Sequence, residues 1–246
     1  MGKPVLILQL RPEDVTSDSE YARILKYGLL KAEETVRLRI EKTGIPDDVS
    51  LADYSAIIVG GSPFDISTPP EKKSAEQNKI EADFNELLSR VVEADFPFLG
   101  ACSGSGLLGN FLKTPVTTQY GEPISCVTLD ITDDGKQDKL LRGFPEKIDV
   151  LLGHKEAVDR TPPDATLLMT GSQCPVQMFR VGENVYATQF HPEGDSEEFI
   201  LRINTYSNYG YFEPHEAEEI KQRVSDKSTP HAQEILRRFV DIYHSG

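Results

Sequence analysis

Apolar runs alternate with helical patterns along the first part of the chain. Residues 4–10 form a continuous apolar run between polar residues, which is typical of a strand buried on both faces of a parallel sheet. Over residues 20–31 the apolar positions recur with helical spacing, and residues 35–40 then alternate as in a strand. Residues 55–59 repeat the buried-strand pattern. The order strand, helix, strand predicts a βαβ arrangement.

The rest of the chain extends this pattern. An amphipathic helix is predicted within residues 69–95, a short strand at 96–99, and a helix from the following turn to residue 112. Further strands are predicted at 124–131, 148–152, 166–169, 176–180 and 185–190, and the last 50 or so residues carry helical patterns around an Asn/Tyr/Gly stretch at 204–212.

These elements predict an α/β fold with an open, mostly parallel sheet flanked by helices and a helical C-terminal extension. We expect residues 1–200 to form the α/β domain and residues 201–246 to form the extension packed on it. With 38% hydrophobic residues, a chain of 246 residues can bury a core of this size.

The charge of the chain argues against two classes of partner. There are 26 Lys and Arg against 40 Asp and Glu, and the net charge of -14 opposes the attraction that a nucleic acid or an anionic membrane surface requires. No apolar run reaches the roughly 18 residues of a membrane-spanning helix. We therefore expect neither nucleic acid nor membrane as a partner.

Cysteine usage indicates a reducing compartment. Cys102, Cys126 and Cys174 are too few for a disulfide framework, and no N-terminal secretion signal is recognisable, so we expect a cytoplasmic protein. The chain has no C-x-x-C or H-x-x-x-H pair, which argues against zinc, and we predict neither metal nor cofactor. Cys126, inside a predicted strand, and Cys174, before a proline, are interpreted as structural.

The turn around Cys102 has the composition of a nucleophile elbow. Gly100 and Gly104 stand two residues before and after it, where side chains would collide in a strained strand-to-helix turn. The following helix places its N-terminus at the thiol, and its dipole favours the thiolate. The amide of Ser103 would then face a developing oxyanion, and a second donor is expected from the turn at residues 60–62.

A histidine and a glutamate close a later strand. In Gln-Phe-His-Pro-Glu, residues 189–193, the side chains of His191 and Glu193 project to the same side if the backbone is extended. Such a pair can act as base and orienter, since the imidazole takes a thiol proton and the carboxylate holds its tautomer. Alone the turn is more often surface structure, but together with Cys102 it indicates a hydrolytic triad.

A dinucleotide site is the competing interpretation of the same region. Residues 104–109 match G-x-G-x-x-G after a strand and before a helix. That fingerprint normally belongs to the first strand of its βαβ unit and is followed about 20 residues on by an acid at a strand end. Glu122 has the distance but lies in a turn before a strand, so we disfavour dinucleotide binding.

The two motifs resemble those of a known family. GACSG at residues 100–104 resembles the G-x-C-x-G elbow, and QFHPE resembles the His-Pro-Glu motif, of class I glutamine amidotransferases, the family of the GMP synthase amidotransferase domain. The order also agrees, with a GGSP turn, the elbow and then HPE, so that the resemblance spans residues 4–193. It implies an open α/β sheet, a γ-glutamyl thioester intermediate and released ammonia.

The resemblance also implies roles for single residues. Cys102 would be the nucleophile, His191 the base and Glu193 its orienter. The amides of Gly61 and Ser103 would form the oxyanion hole, with Ser62 as the alternative to Gly61.

One position departs from the family pattern. Amidotransferases that use free glutamine usually read G-x-C-x-G-x-Q, and the place of that glutamine is taken by Gly106. A glycine supplies room and no side-chain contact, so we expect glutamine to be a poor donor and bulkier γ-glutamyl amides to be accepted. His154 is a second candidate substrate-binding residue, although a loop histidine with a local hydrogen bond is the favoured interpretation.

The expected activity is a Cys-His-Glu hydrolysis of the γ-carboxamide of glutamine or a related γ-glutamyl compound. Because no synthetase domain is recognisable in the sequence, the ammonia would need an accepting synthetase subunit, unless the protein is a free-standing hydrolase. Two alternatives stay open: a γ-glutamyl peptide hydrolase, and a catalytically silent amidotransferase-like binding or regulatory protein.

Overall fold

The computed structural model describes residues 2–207 and 212–244. Part of the Asn/Tyr/Gly stretch, residues 208–211, and the last two residues of the predicted extension lie outside the described residues.

The centre of the fold is a nine-stranded sheet, counted over the described residues. Its order is β2-β1-β3-β4-β11-β10-β9-β6-β7, and a separate two-stranded ribbon pairs β5 with β8. The strands are β1 (Val5–Gln9), β2 (Thr35–Arg39), β3 (Ala56–Val59), β4 (Phe98–Ala101), β5 (Val116–Thr117), β6 (Glu122–Ile131), β7 (Lys147–His154), β8 (Ala157–Val158), β9 (Ala165–Thr170), β10 (Met178–Val181) and β11 (Val185–Thr188).

Strand direction divides the sheet into two parts. From β2 to β11 every neighbouring pair is parallel, whereas the pairs from β11 to β7 are antiparallel. The predicted α/β class with an open, mostly parallel sheet is confirmed, and the antiparallel part is built from the run of strands predicted in the middle of the chain.

Helices cover both faces of the sheet. They are α1 (Asp14–Gly28), α2 (Ile40–Thr43), α3 (Ala75–Glu93), α4 (Ser103–Phe111), α5 (Asp133–Gln137), α6 (Ser196–Thr205), α7 (Ala217–Val224) and α8 (Pro230–Tyr243). Among the residues that the structure describes, no helix is long and apolar enough to span a membrane.

Strand β1 shows why a continuous apolar run is required. Val5 and Ile7 point into the core beneath α1 and α8, while Leu6 and Leu8 point into the core beneath α3 and α4. Since successive side chains of a strand face opposite sides, a strand covered on both sides must be apolar at every position.

Helix α1 begins six residues before its predicted start. The prediction relied on apolar periodicity, but the buried face of the first half of α1 consists of the polar residues Thr16, Ser17 and Glu20. These polar side chains are buried because hydrogen bonds and ion pairs satisfy them, which periodicity does not register.

The C-terminal helix is part of the core. Ala232, Ile235, Leu236 and Phe239 of α8 are buried in the same cluster as residues of β1 and α1. The proposed boundary after residue 200 falls inside α6. The division into a domain and an extension stays a prediction.

Candidate active site

A cavity opens at the carboxyl ends of the parallel strands. Its lining includes Arg11 after β1, Ser62 after β3, Cys102 after β4, and Gln189 and His191 after β11. Ligand sites of open α/β sheets lie at this edge.

Cys102 sits in a strained turn between β4 and α4. Its φ of 51° and ψ of −97° are rare for a residue with a side chain, and its N–H donates to the carbonyl oxygen of Thr188 at 2.8 Å. A Cβ atom added to Gly100 would lie 2.8 Å from the backbone carbon of Gly104. Gly100 is therefore needed for the close approach of β4 and α4.

The amides near the thiol differ in availability. Ser103 lines the cavity, whereas the N–H of Gly61 points to Glu20 Oε2 at 3.3 Å, and Gly61 is not part of the lining. Ser62 lines the cavity, but its N–H donates to Ser103 Oγ at 2.8 Å. The structure thus brings the predicted Ser103 to the site and leaves the amide of Gly61 engaged elsewhere.

His191 and Glu193 form a short buried pair. Nδ1 of His191 lies 2.6 Å from Glu193 Oε1, and both side chains are almost fully buried. Because Nδ1 is engaged by Glu193, Nε2 is the ring nitrogen that can act as a base. Cys102 and His191 line the same cavity. The ring of Phe199 stands edge-on to the imidazole at 5.7 Å between centroids. The three residues of the predicted triad are therefore brought to one place.

Five charged side chains form a network that includes this pair's carboxylate. Arg202 contacts Glu193 at 3.0 Å and Glu198 at 2.6 Å, and it lies 3.5 Å from Glu20, which pairs with Arg11 at 2.6 Å. All five are buried. Since buried charges are tolerated only when paired, this network determines where Glu193 and Arg11 are held.

Burial and the two guanidinium groups determine the protonation of His191. Desolvation, and then repulsion by Arg202, lower the pKa of the imidazole to about 4, although Glu193 acts in the opposite direction. The pKa of Glu193 is lowered in spite of burial, because His191 and Arg202 stabilise its charge. At neutral pH the pair is a neutral imidazole beside a carboxylate.

The thiol of Cys102 is also neutral at this pH. Burial raises its pKa to about 11, even though the charges of Arg11 and Arg202 lower it. Desolvation therefore outweighs the favourable charges of the two arginines in the resting site, and a thiolate favoured by the helix N-terminus stays a prediction.

Comparison with known proteins identifies the family. The family model of class I glutamine amidotransferases matches residues 17–203. The chain belongs to this family. It is 33% identical over 162 residues to a subunit of the glutamine-hydrolyzing GMP synthase of Methanobrevibacter smithii, covering 63% of this chain and 75% of that one. It is 27% identical over 155 residues to the Pyrococcus abyssi protein of the same name, covering 63% and 77%.

Solved structures agree on the fold of this amidotransferase. A glutamine amidotransferase from Thermotoga maritima superposes with a TM-score of 0.75 at 21% identity, covering 98% of this chain and 99% of that chain. A glutamine amidotransferase from Methylobacillus flagellatus superposes with a TM-score of 0.71 at 15% identity, covering 100% and 97%.

Gly106 lines the cavity of this amidotransferase, but it does not leave the expected room. A Cβ atom added there would lie 2.7 Å from Cδ1 of Ile66, so that side chain already fills the space. The backbone of Ile66 is held in place because Glu156 accepts hydrogen bonds from its N–H at 2.6 Å and from the N–H of Ser67 at 2.8 Å. The structure corrects the idea of an open space at this position.

His154 lines the cavity with its nitrogens already bonded. Nδ1 lies 3.0 Å from the carbonyl oxygen of Glu156 and Nε2 lies 3.0 Å from Glu122 Oε2. This is the local hydrogen bond of the second interpretation, with a carboxylate as a second partner. A direct polar contact from His154 to a substrate stays a prediction.

The glycines of the dinucleotide pattern have a packing role. Gly104, Gly106 and Gly109 all lie within α4, and a Cβ atom on Gly109 would lie 2.5 Å from Val158. They allow α4 to approach its neighbours closely and do not form a phosphate-binding loop.

The predicted site residues did not include Arg11, Glu198 or Arg202, although the sequence contains a signal for each of them. Arg11 comes two residues after the end of β1, just as Cys102 follows β4, and the rule for ligand sites at strand ends applies to it equally. Glu198 and Arg202 are four residues apart on one helix face, a spacing typical of an ion pair.

Proposed function

We propose that this amidotransferase hydrolyses the γ-carboxamide of glutamine or of a related γ-glutamyl compound, with Cys102 as nucleophile, His191 as base and Glu193 as its orienter. The 2.6 Å bond between His191 and Glu193, beside a cysteine in a strained elbow on the same cavity, is the observation that supports it.

The neutral thiol and neutral imidazole suit a general-base mechanism. As the Sγ–C bond forms, His191 takes the thiol proton, and the N–H of Ser103 stabilises the oxyanion. His191 then donates this proton to the leaving nitrogen, the C–N bond breaks, and a γ-glutamyl thioester is left on Cys102. A water molecule, deprotonated by His191, attacks the thioester, which releases the γ-carboxylate and restores the thiol.

The surrounding charges support the same steps. Arg11 and Arg202 stabilise negative charge at Cys102, so that the thiolate forms when the proton moves to His191. The N–H of Gly61 becomes a second oxyanion donor once its 3.3 Å contact with Glu20 opens. In the resting arrangement, the N–H of Gly61 therefore does not yet contribute to the oxyanion hole.

The fate of the ammonia is the second part of the proposal. The relatives are named as one subunit of a glutamine-hydrolyzing GMP synthase, which supports a separate synthetase chain that accepts the ammonia. The proposal is tested against two alternatives, a catalytically silent binding protein and a γ-glutamyl peptide hydrolase. The cytoplasmic location stays a prediction.

A donor screen tests the activity. We expect release of glutamate from glutamine or from γ-glutamyl amides and dipeptides, with a matching release of ammonia or of the amine. Cys102→Ser should abolish it, and Cys126→Ser, a half-buried thiol on β6, should leave it unchanged. Absence of glutamate release from every donor, with and without candidate synthetase chains, would support the silent protein instead.

The pH dependence tests the protonation of His191. The base must be neutral to take the thiol proton, and its pKa is lowered to about 4, so kcat/KM should be retained above about pH 5 and lost as the pH falls through about 4. Rates measured from about pH 3.5 to about pH 9, with folding followed by circular dichroism, report this acid limb.

Two variants complete this measurement. Arg202→Met removes a charge that repels the imidazolium, so the acid limb should move to higher pH, whereas Arg202→Lys keeps the charge and should leave the limb nearly in place. An acid limb at the ordinary histidine value of about 6.5 in the unmodified protein would contradict this assignment.

The contact between Ile66 and Gly106 yields a prediction about donor choice. Gly106→Gln alone should gain little for glutamine, because Ile66 occupies the space. Combined with Ile66→Ala it should lower KM for glutamine by about twofold to tenfold, the value of one added hydrogen bond. Ile66→Ala alone is the control and should favour bulkier γ-glutamyl amides only. A full gain from Gly106→Gln alone would show that Ile66 is no obstacle.

A further inference from the structure

A second cluster of potential ligand atoms lies beside the candidate cavity. Glu122 begins β6, His154 ends β7, and Cys174 lies in the loop before β10. All three are buried, and one carboxylate oxygen, one imidazole nitrogen and the Sγ atom lie within 4.8 Å of one another. None of the proposed chemical steps uses the cluster, and it brings together three donor types from three separate elements.

The contact between His154 and Glu122 requires a proton or a cation. Its Nδ1 lies 3.0 Å from the carbonyl oxygen of Glu156, which can only accept, so Nδ1 carries its hydrogen. Nε2 then faces Glu122 Oε2 at 3.0 Å. A lone pair on nitrogen and one on a carboxylate oxygen repel each other unless a proton or a cation lies between them.

Gln177 adds a second, independent observation. This side chain is fully buried, and its Nε2 donates to Glu122 Oε2 at 2.6 Å. Its Oε1 has no hydrogen-bond partner among the described residues, which is costly for a buried oxygen. Rotation of the amide would present that oxygen to the cluster as a fourth donor.

We propose that Glu122, His154 and Cys174 bind a divalent transition metal ion of the zinc type. Nitrogen, oxygen and thiolate ligands are those that Zn²⁺ prefers, and a metal-bound histidine typically donates its other ring N–H to a carbonyl, here that of Glu156. The charges also balance. The ion replaces the thiol proton and the proton between His154 and Glu122, and its two positive charges meet one carboxylate and one thiolate.

The position of the cluster provides both an entry path and a consequence. His154 is part of the cavity wall, so the cavity is the side from which the proposed ion would enter. The same segment carries Glu156, whose carboxylate holds the backbone of Ile66 and Ser67. A bound ion would therefore join β6, β7 and the loop before β10 and stabilise the wall of the donor cavity. The proposal does not depend on the proposed reaction.

Titration with Co²⁺ as a spectroscopic substitute tests the site. We expect stoichiometric binding with a thiolate-to-metal charge-transfer band in the unmodified protein, in Cys126→Ser and in Cys102→Ser. Cys174→Ser should lose the band, and Glu122→Gln, which keeps the size of the side chain and one oxygen acceptor, should weaken binding at least tenfold. Glu122→Gln also guards against misfolding of the Cys174 variant, because it leaves the loop intact.

Thermal unfolding with Zn²⁺ is the second measurement. At a concentration roughly a hundredfold above the dissociation constant, the melting temperature of the unmodified protein and of Cys126→Ser should rise by about 5 °C or more, and that of Cys174→Ser should not. A band that disappears in Cys102→Ser and persists in Cys174→Ser would place the metal at the candidate active site. No band in any variant would show that a proton alone joins His154 and Glu122. Either result would overturn the proposal.

Discussion

Replacing His191 with alanine should lower kcat/KM for the best γ-glutamyl donor by about 10³-fold or more. The thiol of Cys102 is neutral in the resting protein, because burial raises its pKa to about 11, so it depends on a neighbouring base to become a nucleophile. Removal of the base from a unit of nucleophile and base costs nearly as much as removal of the whole unit. Steady-state release of glutamate measures the loss.

Replacing Glu193 with alanine should lower kcat/KM by the same factor as His191→Ala or by a smaller one. Its carboxylate accepts from Nδ1 of His191 at 2.6 Å, so Glu193→Ala removes the orienter but leaves the base in place. His215→Ala, which replaces an exposed histidine, is the matched control and should retain full activity. A folded His191→Ala variant with near-normal turnover would exclude the triad as the source of activity.

Replacing Glu20 with glutamine should destabilise the protein by about 3–5 kcal/mol, the usual cost of breaking a buried ion pair. Glu20 is fully buried and accepts hydrogen bonds from Gln9 at 3.0 Å and Arg11 at 2.6 Å, and Arg202 lies 3.5 Å away. Loss of its charge would leave two buried guanidinium groups with two carboxylates, one of which, Glu198, has its pKa raised to about 7. Denaturant unfolding followed by circular dichroism measures the change.

An exposed ion pair provides the contrast. Asp14 contacts Arg39 and Lys42 at the surface, and Asp14→Asn should leave the unfolding midpoint nearly unchanged because solvent screens that pair. Equal midpoints for Glu20→Gln and the unmodified protein would show that the buried network contributes no stability. Glu20→Gln should also weaken the contact that engages the N–H of Gly61, because an amide oxygen is a poorer acceptor than a carboxylate oxygen.

The sheet could be predicted because of how it is buried. Strands such as β1 and β3 are covered on both faces and must be apolar throughout, and this pattern is visible in the sequence without any partner. Short strands such as β5 and β8 cannot be predicted in this way, because a strand of two residues is too short to show a periodicity. Their existence depends on a pairing between distant segments.

The components of the site were predictable in unequal measure. Cys102, His191 and Glu193 lie in motifs whose local geometry, a tight turn and a two-residue spacing, already places the side chains. Arg202 and Glu20 were not predicted as part of the site, because their role comes from contacts with residues far away in the chain. The same is true of the cluster around His154, whose donors lack zinc-motif spacing since three elements supply them.

The α/β class, the elbow at Cys102 and the residues available for the chemistry follow from the amino-acid order alone, because local sterics and periodicity need no distant partner. The protonation states of these residues and the space around them depend on the folded arrangement. Burial raises the pKa of Cys102 and lowers that of His191, and Ile66 fills the room beside Gly106. Desolvation, ion pairing and packing depend on atoms that meet only when the chain is folded.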